Sequence, residues 1–352
     1  MSELDHYDYQ LPPELIAQSP AASRDAARLL VIDRGQGTWT HNTVRDLPEL
    51  LQPGDCLVFN DSRVLPARLI GQRTATGGAW EGLFLSRAGN GLWKVLSRSR
   101  GKLQPGETVT LSDRDGCWDV ALRLVEKGEQ GEWIARPETE EDSMGILERL
   151  GRVPLPPYIR KGREEEGDLE RYQTVYAQHP GSAAAPTAGL HFTNDLLEQL
   201  KSQGVGVCFL TLHVGPGTFR PIASETLSDH QMHSEWGQVG EDAASRVRKT
   251  REQGGNVVAV GTTSVRVLES AAATAQGDGE LQAWEGWTDL FIRPPYQFQA
   301  INGLMTNFHL PKSTLLVLTR TFGGDELIAR AYEEAVQEKY RFYSYGDAML
   351  IV

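Results

Sequence analysis

Apolar and polar positions alternate along this chain in two textures. In the first, compact apolar runs of strand length are parted by stretches whose apolar residues recur every three or four positions. RLLVID (Arg28 to Asp33) and CLVFN (Cys56 to Asn60) read as strands, the second entered from a turn at Pro53 to Asp55. Leu47 to Leu51 reads as helix, and a short helix near Glu14 to Gln18 is punctuated by Pro12, Pro13 and Pro20. Further on, Thr193 is placed to cap a helix running to about Gln203, Gly204 to end it, and VGVCFLTL to follow as a buried strand. Asn256 to Val260 reads as a strand, Gly261 as a turn, and Ser264 to Thr274 as a helix with Val265, Leu268 and Ala272 on one face. Asp325, after Gly323 and Gly324, is placed to cap a last helix whose stripe is Leu327, Ile328, Ala331, Tyr332, Ala335 and Val336.

The second texture runs from about Ile70 to Arg136. WEGLFL, LWKVLS, ETVTLS, WDVALRLV and EWIAR are short β-prone stretches parted by Gly, Asn and Asp turns, which predicts a small antiparallel barrel. Met144 to Leu150 then forms a helix leading to PLPPYI, whose prolines make a stiff connection back to the first texture. The expected fold class is mixed α/β: a layered α/β domain (residues 1–69 plus 151–352) with an inserted small antiparallel β-barrel domain (residues 70–150). No internal repeat or heptad run is present.

Composition narrows the function. The 352 residues are 40% hydrophobic, enough for a large core, and the net charge of -12 excludes a protein coated in Lys and Arg for non-specific nucleic-acid binding. Cys56, Cys117 and Cys208 stand far apart and match neither a zinc spacing nor a disulfide framework. The acidic start lacks the order of a signal peptide, and no apolar run approaches the ~20 residues that span a bilayer. A cytoplasmic protein without membrane contact is expected.

Six of the eight histidines fall between His179 and His309, most in Gly-, Thr- and Pro-rich segments. His191, His213, His230, His233 and His309 each stand near an element boundary, where functional loops sit, and an imidazole exchanges protons near neutral pH with little tuning. His230 and His233 share a face if helical, and with His213 could hold a metal, but no further ligand completes a recognised spacing; Asp229 and Glu235 are better read as orienting the two rings. VVAVGTTSVRVLE delivers Thr262 and Thr263 to a helix start that suits an anion; the plain alternative is an ordinary cap with Arg266 and Glu269 pairing on an exposed face. FNDSRVLPARL places Asn60, Asp61 and Arg63 at a strand end, where ligands bind in layered folds; the dull reading is a turn with an internal Asp–Arg pair. From Asp61 to Lys102, eight basic residues face two acidic ones, so a barrel stripe including Arg98, Arg100 and Lys102, with Trp80 and Trp93 to stack a base, is a candidate RNA surface.

Taken in order, YQLPPELIAQSP, PGDCLVFNDSRVLPARL, PLPPYI, RYQTVYA, APTAGLHFT, TLHVGPGTF, DHQMHSE, VAVGTTSVRVLE, TNFHLPKSTLL and YRFYSYGDAML resemble the S-adenosylmethionine:tRNA ribosyltransferase-isomerase family of queuosine biosynthesis. The resemblance covers almost the whole chain. It implies transfer and isomerisation of the ribosyl part of S-adenosylmethionine onto 7-aminomethyl-7-deazaguanine at the tRNA wobble position, giving epoxyqueuosine and releasing adenine and methionine. It implies S-adenosylmethionine as co-substrate with no tightly bound cofactor or metal, tRNA as partner, and a monomer. Competing readings are a non-catalytic tRNA-binding protein and an S-adenosylmethionine-dependent RNA methyltransferase.

A base must remove a proton beside the sulfonium, whose charge acidifies that carbon; His191 and His213 are the first candidates. A donor to the departing adenine is sought among His230, His233 and His309. Thr262, Thr263 and Arg266 are placed to hold the methionine carboxylate, and Asp61 to bind ribose hydroxyls or the cationic amine. Thr187, Gln173, Asn307, Tyr343 and Asp347 lie in family-like motifs and can read polar edges.

Overall fold

The computed structural model describes residues 3–215, 217, 222, 224–275 and 280–352. The chain divides into two compact units, Met1–Arg63 with Arg171–Val352, and Val64–Glu170. In chain order the strands are β1 (Arg28–Asp33), β2 (Thr38–Thr43), β3 (Cys56–Asn60), β4 (Ser62–Val64), β5 (Arg68–Arg73), β6 (Ala79–Arg87), β7 (Trp93–Ser99), β8 (Thr108–Ser112), β9 (Trp118–Lys127), β10 (Glu132–Pro137), β11 (His179–Ser182), β12 (Gly206–Leu212), β13 (Glu235–Val239), β14 (Val257–Val260), β15 (Trp284–Thr288), β16 (Gly303–Asn307) and β17 (Ala348–Ile351). The helices are α1 (Leu47–Leu50), α2 (Ser143–Leu150), α3 (Asp168–Arg171), α4 (Asn194–Ser202), α5 (Glu241–Glu252), α6 (Thr262–Ala273), α7 (Thr314–Gly323) and α8 (Asp325–Gln337).

The first unit is organised on a nine-stranded sheet in the order β15-β13-β12-β3-β14-β16-β17-β1-β2. Its centre is parallel: β12, β3, β14 and β16 run the same way, and β17 returns antiparallel to β16. Strands β3, β14 and β16 are buried at every position, as expected of strands covered on both faces. On one face Leu57, Phe59, Val258 and Met305 pack with Leu47 of α1 and Leu196 and Leu200 of α4. Full burial of such a side chain is worth ~1.5–3 kcal/mol, so this layer holds the strand ends in place. Adjacency of β3 and β12 also brings Cys56 and Cys208, distant in sequence, to an Sγ–Sγ distance of 3.7 Å, with both thiols free.

The caps follow the sequence in part. Thr193 Oγ1 accepts from Leu196 N at 3.1 Å, starting α4, and Gly204 takes φ 83° beyond its end. Asp325 is not the cap of α8: Gly324 occupies that position with φ 89°, and the Asp325 carboxylate faces His6 and Arg320 instead. The sharp reversal from α7 into α8 needs a positive φ, which glycine supplies without strain. The helix expected near Glu14 is a single 3-10 turn, Pro13–Leu15, after which Ile16 bridges to Phe342.

The second unit is a closed barrel in the order β10-β7-β6-β5-β8-β9. Its compact unit is wider on both sides than residues 70–150. Strand β5 opens the barrel from Arg68, and Arg152 returns after α2 to pair with Arg68 in both directions, at 3.0 and 2.7 Å. Gly151 makes that return possible, since a Cβ there would strike the Pro66 carbonyl. Trp80 and Trp93 are buried in the barrel core with Leu69, Leu111 and Leu122, so neither is available to stack a base. The large bulk of indole fills the barrel centre, while the exposed indole of this unit is Trp118.

Candidate active site

The parallel strands of the first unit end along one edge of the sheet: β3 at Asn60, β12 at Leu212, β14 at Val260 and β16 at Asn307, with Ala348 of β17 opposite Asn307. Asp61, His213, Thr262, Thr263, Asn307 and Asp347 therefore share that edge, the carboxyl ends of the strands where layered α/β folds bind ligands.

At the β3 and β12 ends, Asn60 is consumed as a clamp. Its Nδ2 donates to Leu212 O, and its Oδ1 accepts from Leu212 N and Ser62 N, all at 3.0 Å. Asp61 is buried and does not pair with Arg63, which is exposed. Its carboxylate accepts from Thr211 Oγ1 at 2.7 Å and lies 3.2 Å from Nδ1 of His179. About half of the His179 side chain is exposed, so Asp61 orients a ring that remains accessible. His213 is set differently. Val214 N donates to Ser182 Oγ at 2.9 Å, Ser182 Oγ lies 2.7 Å from Ser62 Oγ, and Ser62 Oγ lies 2.9 Å from His213 Nδ1. A chain in which each hydroxyl passes its proton onward makes Nδ1 the acceptor and leaves the ring proton on Nε2. Burial, then the nearby charge of His179, lower the His213 pKa, partly offset by Asp61, and the Trp236 indole stacks on its ring at 5.1 Å.

At the β14 end, Gly261 takes φ 90° and α6 begins at Thr262. Thr262 and Thr263 are buried, and Thr263 Oγ1 has no hydrogen-bond partner among the described residues. Arg266 is not available for a carboxylate ligand. It is buried, its Nη1 pairs with Glu235 Oε2, and it donates to Thr288 O at 3.1 Å and Leu290 O at 3.2 Å. Glu269 is buried too, accepting from Gln299 N, Ala300 N and Tyr296 Oη, so the exposed Arg266–Glu269 pair does not form. Burial raises the Glu269 pKa against those three donors and the Ile301 backbone N–H.

At the β16 end, His191 is wholly buried. Asn307 Nδ2 lies 3.1 Å from His191 Nε2 and also donates to Tyr343 O at 3.1 Å, and the opposite side of the ring bonds to the Arg24 backbone. Burial, with Arg341 and Arg24 nearby, lowers the His191 pKa to about 4. A base with a lone pair already occupied and so low a pKa is a weak candidate, which removes His191 from the first position. His309 is likewise buried, 2.8 Å from Thr306 Oγ1 through Nε2, with its pKa lowered to about 3 by burial, so the ring is held neutral and its Nε2 is engaged by Thr306. Asp347 accepts backbone N–H from Arg28 and Arg341, and Tyr343 sits at φ 71° with its carbonyl turned to Asn307. Thr187 opens the 3-10 turn that ends at His191, and Gln173 is half-buried.

His230 and His233 do not share a helix face, because residues 230–234 are not helical. His230 meets Phe291 edge-on at 5.4 Å, and the His233 ring lies where a Cβ on Gly217 would stand. Asp229 accepts from Thr226 and Glu235 holds Arg266, so the partners these two carboxylates show among the described residues are not the two rings. Pro216 and residues 218–221 of the GPGTFRP segment lie outside the described residues.

Four of the eight basic residues between Asp61 and Lys102 are paired with carboxylates, most of them beyond Lys102 in the chain. Arg68 pairs with Glu81 at 2.7 Å, Lys94 with Glu132 at 2.7 Å, Arg87 with Asp142 at 3.0 Å, and Arg73 with Glu107. Arg98, Arg100 and Lys102 are exposed and have no acidic partner among the described residues. The residues that sequence reasoning missed are His179, Ser62 and Ser182. His179 belonged to the histidine group, but nothing local marks it, since Asp61 reaches it only through the fold.

The family model for queuosine biosynthesis protein matches residues 4–351. The chain is 50% identical to a Symbiobacterium thermophilum protein over 99% of both chains, and 47% identical to a Halothermothrix orenii protein over 99% of this chain and 100% of the other. Both are named S-adenosylmethionine:tRNA ribosyltransferase-isomerase. A crystal structure of S-adenosylmethionine tRNA ribosyltransferase from Thermotoga maritima matches with 36% identity and a TM-score of 0.56, over 99% of this chain and 100% of that one.

Proposed function

Because the chain belongs to the queuosine biosynthesis protein family, we propose that it transfers and isomerises the ribosyl part of S-adenosylmethionine onto 7-aminomethyl-7-deazaguanine in tRNA. The observation that carries the reading beyond family membership is the pair of differently set imidazoles at the β3 and β12 ends, His179 on Asp61 and His213 on Ser62.

The reaction needs groups of these two kinds. S-adenosylmethionine enters as a sulfonium cation and leaves as adenine and neutral methionine, so forming the new bond to the amine releases one proton, and a base must take it. His179 fills that role: a carboxylate on Nδ1 fixes the tautomer and leaves the Nε2 lone pair for a carbon acid beside the sulfonium. His213 carries its proton on Nε2 and stays neutral at pH 7, so it serves as a hydrogen-bond donor to the adenine nitrogen on which negative charge develops. Thr262 and Thr263, at the start of a twelve-residue helix, bind the methionine carboxylate through backbone N–H and the Thr263 hydroxyl, which has no partner among the described residues. Arg98, Arg100 and Lys102 meet tRNA phosphates, and S-adenosylmethionine is a co-substrate rather than a resident cofactor.

The test is incubation with S-adenosylmethionine and tRNA bearing 7-aminomethyl-7-deazaguanine. Free adenine and methionine in equal amounts are expected, with epoxyqueuosine in the tRNA. S-adenosylhomocysteine with methylated RNA identifies a methyltransferase instead, and tRNA binding with no product identifies a binding protein.

A further inference from the structure

A second chemical environment lies along the same sheet edge, beyond His191. There the segment leading into β1, Arg171 at the end of α3, the 3-10 turn ending at His191 and the segment before β17 enclose a cavity of about 340 Å³. That is at the low end of the roughly 300–1,000 Å³ typical of ligand clefts. Arg24, Arg171 and Arg341 line it together with Ser19, His191 and Ser344, and none of its lining residues is Asp or Glu.

The three arginines are held in different ways. Arg24 Nη1 donates to Leu190 O at 3.1 Å, fixing a half-buried guanidinium in the wall. Arg341 Nη1 reaches Ser19 O at 3.5 Å, and Nη2 lies 3.6 Å from Asp347 Oδ1, a carboxylate that already accepts two backbone N–H groups. Arg171 is exposed and has no acidic partner among the described residues. Burial lowers the Arg24 pKa, and Arg24 and Arg341 both press the His191 pKa down, as expected of positive charge close to that ring.

We infer that this cavity is a phosphate site that seats a backbone phosphate of the tRNA at the active-site edge of the sheet. The inference rests on the proposed reading for its partner and on charge for its chemistry. Guanidinium groups present planar forks of N–H donors that match phosphate oxygens two at a time. S-adenosylmethionine is a poor fit, because its ammonium and sulfonium would face three arginines with no carboxylate in the lining to receive them. A phosphodiester brings the opposite charge. Its binding would also position the strand, since phosphate contacts set register while base contacts identify the nucleotide.

The test uses Arg171→Gln, which removes an exposed side chain and leaves the core untouched, and Arg341→Gln as a second variant. Binding of unmodified tRNA is measured without S-adenosylmethionine across a salt series, so no turnover is needed. Each variant is expected to weaken tRNA binding about three- to tenfold near 0.1 M salt and to reduce the slope of log K against log salt by roughly 0.7–0.9. Inorganic phosphate should compete with tRNA on the natural chain beyond its effect as salt, and lose that excess effect in Arg171→Gln. Unchanged affinity and slope in both variants overturn the site. Weaker S-adenosylmethionine binding with unchanged tRNA slope overturns it in favour of the methionine carboxylate, and phosphate binding that depends on Arg171 without any change for tRNA overturns the tRNA assignment. A chain that lacks transferase activity but shows the slope change loses the proposed reaction and keeps the site.

Discussion

Nδ1 of His179 lies 3.2 Å from Oδ2 of Asp61, and the carboxylate's other oxygen accepts from Thr211, so a buried acid holds a half-exposed ring from a neighbouring segment. His179→Ala is expected to lower kcat by about 10²–10⁴, the usual worth of a positioned base. Asp61→Asn should cost much of the same, and the double variant little more than the worse single one, since groups acting as a unit are not additive. Single-turnover rates with equilibrium S-adenosylmethionine binding check this. A near-normal rate in His179→Ala removes it as the base.

The relay from Val214 through Ser182 and Ser62 predicts that Ser62→Ala and His213→Ala slow turnover more than they weaken S-adenosylmethionine binding. Because burial lowers the His213 pKa, this ring stays neutral from neutral pH upward and gains a proton only in acid. Removing His213 should therefore reduce the rate across the neutral and alkaline range alike. A loss confined to one limb of the pH profile contradicts the donor role.

Two other histidines report on folding. His191 at about 4 and His309 at about 3 remain neutral in the fold well below the ordinary value near 6.5. Their neutral burial contributes stability that is full above pH 6.5 and is lost as pH falls, because the unfolded chain takes up protons that the fold refuses. Each accounts for about 1.4 kcal/mol per pH unit at the steepest, between roughly pH 6 and 4.5. Urea unfolding of the natural chain and of His309→Gln should differ in pH slope by that amount; equal slopes count against it.

Arg266 and Glu235 form a buried pair, so removing either partner leaves an uncompensated charge. Arg266→Ala is expected to cost about 3–5 kcal/mol of stability. Thr263→Val contrasts with it: losing a hydroxyl that lacks a partner among the described residues should leave stability unchanged or improved while raising the KM for S-adenosylmethionine. Denaturant midpoints and KM values separate the two, and an unaltered KM in Thr263→Val moves the carboxylate elsewhere.

On the barrel, neutralising Arg98, Arg100 and Lys102 should weaken tRNA binding and flatten its salt dependence, by roughly 0.7–0.9 in slope for each phosphate that is no longer neutralised. Lys94→Gln, which breaks a pair with Glu132, should change the slope little. Equal effects from both sets place the RNA surface elsewhere.

The local pattern of the chain determined the strands at Arg28–Asp33 and Cys56–Asn60, the capped α4, the stripe of α8 and the inserted barrel. Each is encoded by periodicity and turn chemistry within a few residues. It also placed the chemistry-bearing residues at strand ends, because Gly-, Thr- and His-rich segments follow apolar runs. Tertiary structure alone decided which of those groups are free to act. It gave Arg266 to Glu235, put Trp80 and Trp93 inside the barrel, filled the lone pair of His191, and brought Asp61 to His179. Charge pairing and desolvation are set by neighbours in space, and Arg24, Arg171 and Arg341 become neighbours only when the sheet has assembled.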